Sequence, residues 1–145
     1  MGAVAAAVAT AKRVAFDCEF SVVPDRVATI QVALDDGRVY VVDGTLNLDP
    51  LVDALSARRV LGYGVGEDLK RLPRRDWNVD DLQRRFPRHK APSLQRVVAE
   101  VLGEYVDKSL QRSDWDVRPL SSEQLRYAAL DAAVLLRLEE GLSSE

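Results

Sequence analysis

The sequence around residue 17 reads Val14-Ala15-Phe16-Asp17-Cys18-Glu19-Phe20, an apolar run interrupted by two carboxylates. Side chains two residues apart on a strand point to the same face, so Asp17 and Glu19 face one way, whereas Cys18 and the two phenylalanines face the other. Two like charges side by side on a half-buried strand are costly unless a proton or a cation neutralises them. The pattern therefore indicates a metal site, with a solvated edge strand as the alternative.

The length and composition limit the classes of protein to which the chain can belong. The chain has 145 residues, enough for one domain with a single core, and its 47% hydrophobic and 30% charged residues exclude a wholly disordered or collagen-like chain. No apolar run approaches the length of a bilayer span, so no membrane partner is expected. One cysteine, Cys18, cannot form an internal disulfide. We therefore expect an intracellular protein of the nucleus or cytoplasm, with a buried thiol that is not a nucleophile.

The first twelve residues differ in composition from the rest. They are mostly alanine and valine and lack the charged start of a signal peptide. We expect residues 1–12 to be a flexible leader and residues 13–145 to form a single domain.

The order of predicted elements indicates an α/β protein. Residues 27–34 and 39–42 read as strands joined by a turn that contains Gly37, which makes three antiparallel strands with the first. A helix starting near Asp49 separates these strands from residues 60–65, so this next strand is expected to run parallel to the first. A last short strand is predicted over residues 77–82. The prediction is a mixed sheet, three antiparallel strands and then parallel ones, flanked by helices.

Two helices in the second half have clear boundaries. Ser93 is the predicted N-cap of the first of them, and Gly103 its C-terminal end. Ser121 and Gln124 have the spacing of a capping box at the start of the second. The body of that second helix, residues 127–136, is apolar almost all round, which predicts burial.

The last helix contains one acid in its apolar body, Asp131, one turn after Tyr127 and on the same face. A lone aspartate in a buried helix needs a partner. Asp68 is predicted in the first turn of a short helix directly after the strand at residues 60–65, where open α/β sheets bind their ligands. A simple interaction with the helix dipole is the alternative for Asp68.

Four carboxylates thus need a common explanation: Asp17, Glu19, Asp68 and Asp131. An all-oxygen site suits hard divalent cations, Mg²⁺ or Mn²⁺. In a two-metal site, one ion activates the attacking water and the other stabilises the leaving oxygen of a phosphodiester.

Basic residues are concentrated in the middle of the chain. The net charge is −3, yet residues 58–90 contain ten Lys and Arg against five Asp and Glu. This asymmetry indicates a polyanion partner near an acidic centre, with a solvated surface as an equally open alternative. The candidate phosphate contacts are Lys70, Arg71, Arg74, Arg75, Arg84, Arg85, Arg88, Lys90, Lys108 and Arg118. The lone His89 is expected to be a surface residue.

Three segments resemble one known family. Phe-Asp-Cys-Glu-Phe at residues 16–20, Gly-Tyr-Gly-Val-Gly-Glu-Asp-Leu-Lys-Arg-Leu at 62–72 and Tyr-Ala-Ala-Leu-Asp-Ala at 127–132 are similar to the three motifs of the DEDD 3′→5′ exonucleases, in their order. The connector at residues 107–121 resembles the corresponding segment of the ribonuclease D and Werner-type branch. The resemblance covers residues 13–140 and implies a ribonuclease H-like fold.

The resemblance also implies a role for each site residue. Asp17 would bridge two metal ions, Glu19 and Asp131 would help hold the ion that binds the attacking water, and Asp68 would support the other. The Tyr-x-x-x-Asp pattern is that of the DEDDy subclass, in which Tyr127 would orient the nucleophilic water, with a role as base left open. Phe20 stands where Trp is frequent in this branch.

The function implied is a Mg²⁺- or Mn²⁺-dependent 3′→5′ exonuclease. It would hydrolyse phosphodiester bonds from the 3′ end of DNA or RNA and release nucleoside 5′-monophosphates. The alternative is an exonuclease-like module that binds nucleic acid or a protein without cutting. The four carboxylates and the tyrosine favour catalysis, because they supply the site chemistry that a silent module does not need.

Overall fold

The computed structural model describes residues 1–143, and its centre is one five-stranded sheet. The strands are β1 (Val14–Phe20), β2 (Val27–Leu34), β3 (Val39–Asp43), β4 (Arg59–Gly62) and β5 (Asn78–Asp81). Their order across the sheet is β3-β2-β1-β4-β5. The strand with the two carboxylates, β1, therefore lies in the middle.

The predicted mixed topology is confirmed. β1 pairs antiparallel with β2 and β2 with β3, whereas β4 runs parallel to both β1 and β5. A parallel partner places the carboxyl ends of β1 and β4 at the same edge of the sheet, next to the helix that follows β4. The predicted site residues on β1 and after β4 therefore lie near this edge of the sheet.

Helices cover both faces of the sheet. They are α1 (Gly2–Thr10), α2 (Asp49–Ser56), α3 (Gly66–Arg71), α4 (Leu94–Leu102) and α5 (Ser122–Ser143), with a 3₁₀ turn at Leu82–Arg85. One core cluster packs α1 and α2 against one face, and a second packs α4 and α5 against the other. No helix within residues 1–143 is both long enough and apolar enough to cross a membrane.

The structure differs from the expected leader at residues 1–12. Gly2–Thr10 is a helix, and its Ala7 and Val8 side chains are buried in the core beside α2. Alanine has the highest helix propensity, which explains why an almost uniformly apolar segment can be helical without an amphipathic pattern. The Arg58 guanidinium donates hydrogen bonds to the carbonyls of Val8, Ala11 and Lys12, so the exposed acceptors at the end of α1 are satisfied.

The start of α5 is as predicted. The Ser121 N–H donates to Gln124 Oε1, and the Gln124 N–H donates to Ser121 Oγ, both at 3.0 Å. The predicted burial of residues 127–136 holds for most of this body, but Leu130 is exposed, and so is Leu125 just before it. Only the face that includes Tyr127 and Asp131 lies on the sheet. The apolar residues on the opposite face of α5 need not be buried, since protein surfaces contain many apolar atoms.

Candidate active site

The predicted site residues all line one cleft of about 590 Å³. Asp17 and Glu19 come from β1, Asp68 from the first turn of α3 directly after β4, and Tyr127 and Asp131 from the sheet-facing side of α5. Glu19, Asp68 and Asp131 are buried, and Asp17 is partly exposed. Three separate elements thus contribute acids to the same space.

The carboxylates are close together. One oxygen each from Asp17, Glu19 and Asp131 lies within 4.8 Å of the others. Asp68 is near enough for its charge to raise the pKa of both Asp17 and Glu19. Its Oδ2 is buried and has no hydrogen-bond partner within residues 1–143. An acceptor left in this state is costly unless a ligand satisfies it.

The pKa values of the four carboxyl groups are shifted by their burial and by their closeness to one another. Burial, and then the charges of Asp68, Glu19 and Asp131, raises the pKa of Asp17 well above its ordinary value. Burial and the charges of Asp131 and Asp68 raise the pKa of Glu19 to about 8. Burial also raises the pKa values of Asp68 and Asp131 to about 7 each. Near neutral pH, the cluster therefore takes up protons or needs a cation.

Tyr127 lies beside Asp131, and its hydroxyl lowers the pKa of that carboxyl against the effect of burial. Burial, followed by the charges of Asp131, Glu19 and Asp17, raises the pKa of the phenol above its ordinary value. The hydroxyl is therefore protonated at neutral pH. It can donate and accept hydrogen bonds in the cleft. A protonated phenol is therefore better suited to orient a water molecule than to remove a proton from it.

The residues present fit a divalent cation. The donors are carboxylate oxygens only, which hard cations prefer. No Lys or Arg forms an ion pair with any of the four acids in the part of the chain that the structure describes. Oδ2 of Asp68 has no hydrogen-bond partner within residues 1–143, and the charge of Asp68 acts on Asp17 and Glu19, so positive charge is the missing component.

Comparison with known proteins identifies the family. A family model described as "3'-5' exonuclease" matches residues 1–145. The chain belongs to this 3′–5′ exonuclease family. DNA polymerase I of Aquifex aeolicus is 34% identical over 124 residues, which cover 79% of this chain. That match takes in 21% of the polymerase, so this chain spans about a fifth of that relative's length.

Solved structures of exonucleases share the fold. The Nibbler EXO domain of Aedes aegypti is 26% identical with a TM-score of 0.84, covering 98% of this chain and 82% of that one. Escherichia coli RNase D is 26% identical with a TM-score of 0.77, covering 99% of this chain and 43% of that one. The ribonuclease H-like fold expected from the resemblance is thus confirmed, and so is the family itself.

Cys18 contributes a neutral group to this exonuclease domain. Its thiol is buried, as expected, and burial with the nearby charges of Asp68 and Asp17 raises its pKa well above the ordinary value. The thiol lies beside Asp68, where it lowers the pKa of that carboxyl. An uncharged thiol among carboxylates is a poor nucleophile.

Phe20 is a site residue that the strand pattern missed. Alternation along β1 predicts that its side chain faces away from Asp17 and Glu19. The register of β1 with β2 shifts between Glu19 and Phe20, where Ala28 on β2 has no partner on β1. Phe20 lines the same cleft as the acids and is 38% exposed. Nothing in the sequence of β1 alone indicates this irregular pairing.

The segment before α5 helps to hold Tyr127. The ring of Trp115 is buried and lies 5.8 Å from the Tyr127 ring, centroid to centroid. Arg118 donates to the Asp43 carboxylate and to the Ala28 carbonyl, and thereby anchors this connector to the sheet. The connector thus has a structural role beside the cleft.

The structure divides the basic residues proposed as phosphate contacts. Ion pairs with Asp or Glu occupy Lys70, Arg71, Arg75, Arg85 and Arg118. Arg84 and Arg88 have no acidic partner within residues 1–143, and they line a groove that shares Gly64, Glu67 and Gln83 with the cleft. His89 is exposed, as expected.

Proposed function

We propose that the chain is a divalent-metal-dependent 3′→5′ exonuclease that hydrolyses DNA or RNA and releases nucleoside 5′-monophosphates. The observation that supports this most strongly is the acid cluster. Carboxylate oxygens of Asp17, Glu19 and Asp131 lie within 4.8 Å of one another, and the nearby Asp68 has a buried Oδ2 without a hydrogen-bond partner among the described residues. Such an arrangement is unfavourable for folding and is useful for binding cations. The exonuclease domain would comprise residues 13–145, with α1 packed against its core through Ala7 and Val8.

The four carboxylates would hold two cations, Mg²⁺ or Mn²⁺. Asp17 would contact both, Glu19 and Asp131 would share one, and Asp68 would hold the other, as the family motifs imply. Bound at this cluster, the two cations supply the positive charge that activates a water molecule and stabilises the leaving oxygen of a phosphodiester.

Tyr127 would position the attacking water. Its protonated hydroxyl lies at the wall of the cleft beside Asp131, and Trp115 packs against its ring. A hydroxyl in a fixed place limits the orientations of a water molecule, which lowers the entropic part of the barrier.

The acid cluster would also make substrate binding depend on metal. Four carboxylates without a cation would repel a phosphodiester, since after burial it is the negative charge of neighbouring acids that raises the pKa values of Asp17 and Glu19. Arg84 and Arg88, which border the neighbouring groove, would contact phosphates of the strand upstream of the cleavage site.

Degradation of single strands labelled at the 5′ end tests the function. The protein is incubated with matched DNA and RNA oligonucleotides in Mg²⁺, in Mn²⁺ or in EDTA. We expect a ladder that shortens from the 3′ end, nucleoside 5′-monophosphate as the product and no cleavage in EDTA. Oligonucleotides that are bound and stay intact with either metal would instead establish a binding module that does not cut.

A further inference from the structure

Two polar residues interrupt the apolar sequence of β2. The strand reads Val-Ala-Thr-Ile-Gln-Val-Ala-Leu, and every residue in it is buried. Thr29 is 1% exposed, and Gln31 is buried completely. Polar side chains at this depth are costly unless they are hydrogen-bonded, so two of them in the middle of a sheet need an explanation.

Both residues lie opposite the acids of β1. In the register of the two strands, Thr29 pairs with Glu19, and Gln31 pairs with Asp17. Directly opposed residues on antiparallel strands point to the same face of the sheet, with their Cβ atoms roughly 4.5–5.5 Å apart. Asp17 shares that face with Asp131 of α5. The Gln31 side chain therefore lies beside Asp17, beneath α5.

Only one end of the Gln31 amide is hydrogen-bonded. The Thr29 hydroxyl donates to Gln31 Oε1, whereas Gln31 Nε2 is buried and has no hydrogen-bond partner among the described residues. An unpaired buried donor is unfavourable, and an apolar residue of the same shape would avoid that cost. A side chain that breaks the local rule of its strand in this way is typical of a functional site.

A donor at this position can act on the cation site through Asp17. A carboxylate that binds a cation keeps lone pairs that point away from the metal, and hydrogen bonds to them from neighbouring side chains fix its orientation. The last torsion of a glutamine side chain is soft, so the amide can turn towards Asp17 without a movement of the strand. Thr29 holds the oxygen of the same amide and thereby limits the other directions in which Nε2 can point.

We propose, on the basis of the cation site in the proposed function, that Gln31 is a positioning residue whose Nε2 donates a hydrogen bond to the cation-bound carboxylate of Asp17. The bond holds that carboxylate in the orientation that binds the cations. The unpaired donor is thus satisfied in the metal-bound protein, and Gln31 acts on the site without contacting cation or substrate.

Gln31→Met tests the proposal, because it keeps the length and shape of the side chain and removes the amide. We expect the affinity for Mn²⁺, measured by calorimetry, to fall roughly 10- to 100-fold. The melting temperature in EDTA should equal or exceed that of the wild type, since the substitution removes an unpaired buried donor. A lower melting temperature in EDTA with unchanged Mn²⁺ affinity would show that the amide is structural, and would overturn the proposal.

Leu34→Met is the matched control. Leu34 is buried in the same strand, in the core cluster that includes α1 and α2, on the face opposite the acids. It receives the same new side chain, and its Mn²⁺ affinity should equal that of the wild type. An equal loss of affinity in both variants would assign the effect to the packing of β2 and would contradict a role for the amide.

Proton–nitrogen correlation NMR follows the amide directly. The side-chain N–H signals that are absent from the spectrum of Gln31→Met belong to Gln31. Addition of Mg²⁺ to the wild type should move one of them downfield, as expected for a new hydrogen bond to a carboxylate. Gln31 signals that do not respond while the protein binds Mg²⁺ would overturn the proposal.

These measurements separate the proposal from the proposed function, because none of them requires cleavage. A wild type that binds Mn²⁺ without cutting contradicts the exonuclease function alone, provided that Gln31→Met still weakens Mn²⁺ binding. A wild type that cuts and binds Mn²⁺ no more tightly than Gln31→Met contradicts the role of Gln31 alone.

Discussion

A tyrosine beside an acid cluster can act as a base or as a hydrogen-bonding group, and the raised pKa of Tyr127 distinguishes between these two roles. A phenol whose pKa lies above its ordinary value is a weak acid, and its conjugate base is scarce at neutral pH. The neighbouring Asp131 adds to this effect, because its negative charge opposes a second one on the ring oxygen. At the scale of single residues, the structure thus favours Tyr127 as a hydrogen-bonding group.

Tyr127→Phe tests that role. We expect kcat to fall by roughly tenfold or more while the affinity for Mn²⁺ is unchanged, since the hydroxyl orients water and the carboxylates hold the cation. Kinetics are measured beside a metal titration followed by calorimetry. A variant that has lost metal affinity, or one with an unchanged kcat, would contradict the assigned role.

Three of the acids could be predicted because each violates a local rule of its element. Asp17 and Glu19 interrupt an apolar strand, and Asp131 stands in an otherwise apolar helix. Such violations concentrate at functional sites. Asp68 was predicted from its place after a strand, and the role of Tyr127 from the resemblance to the exonuclease motifs. Phe20 could not be predicted in the same way, because it is an apolar residue in an apolar strand, and the irregular pairing beside it depends on β2.

At the scale of elements, α5 depends on its first turn. The capping box between Ser121 and Gln124 satisfies two N–H groups, and the buried Gln124 amide also donates to Ser113 Oγ and the Asp114 carbonyl. The start of the helix that carries Tyr127 is thereby attached to the connector.

Ser121→Ala should therefore lower the free energy of unfolding by about 1 kcal/mol, the usual cost of removing an N-cap acceptor. Ser122→Ala is the matched control, since it changes the next serine in the helix and leaves the capping box intact. Both are measured by urea denaturation. The same midpoint for the two variants would show that the capping box contributes no stability.

Element boundaries could be predicted where a cap or a glycine defines them, as with Ser93 and Gly103 around α4. α1 was missed because its apolar residues have no helical period, so nothing in the sequence pattern distinguishes a packed helix from a flexible leader. The exposed face of α5 was missed for a related reason. Leu125 and Leu130 are apolar at positions where the sheet does not reach.

At the scale of the whole molecule, the acid cluster links stability to pH. Glu19 has a pKa of about 8 and Asp68 and Asp131 have pKa values of about 7 in the folded protein, against about 4 in an unfolded chain. Between these values, the unfolded chain binds fewer protons than the folded one. The free energy of unfolding therefore falls as pH rises through this range.

In EDTA, the melting temperature should accordingly fall between pH 5 and pH 8. The corresponding loss in the free energy of unfolding is on the order of a few kcal/mol. Mn²⁺ at pH 8 should restore it, since a ligand that binds only the folded state stabilises that state. The measurement is differential scanning calorimetry at several pH values with and without metal. A melting temperature that rises from pH 5 to pH 8 in EDTA would show that something other than bound protons or metal neutralises the acids.

The central claim is that the four carboxylates form one cation-dependent hydrolytic centre, and Asp17→Asn tests it most directly. Cleavage of a 5′-labelled single strand in Mn²⁺ is compared for the wild type, Asp17→Asn and Asp76→Asn, which makes the same chemical change at an exposed aspartate outside the cleft. We predict a rate at least about a hundredfold lower for Asp17→Asn, with a normal melting temperature, and an unchanged rate for Asp76→Asn. Cleavage by Asp17→Asn at the wild-type rate would contradict the account.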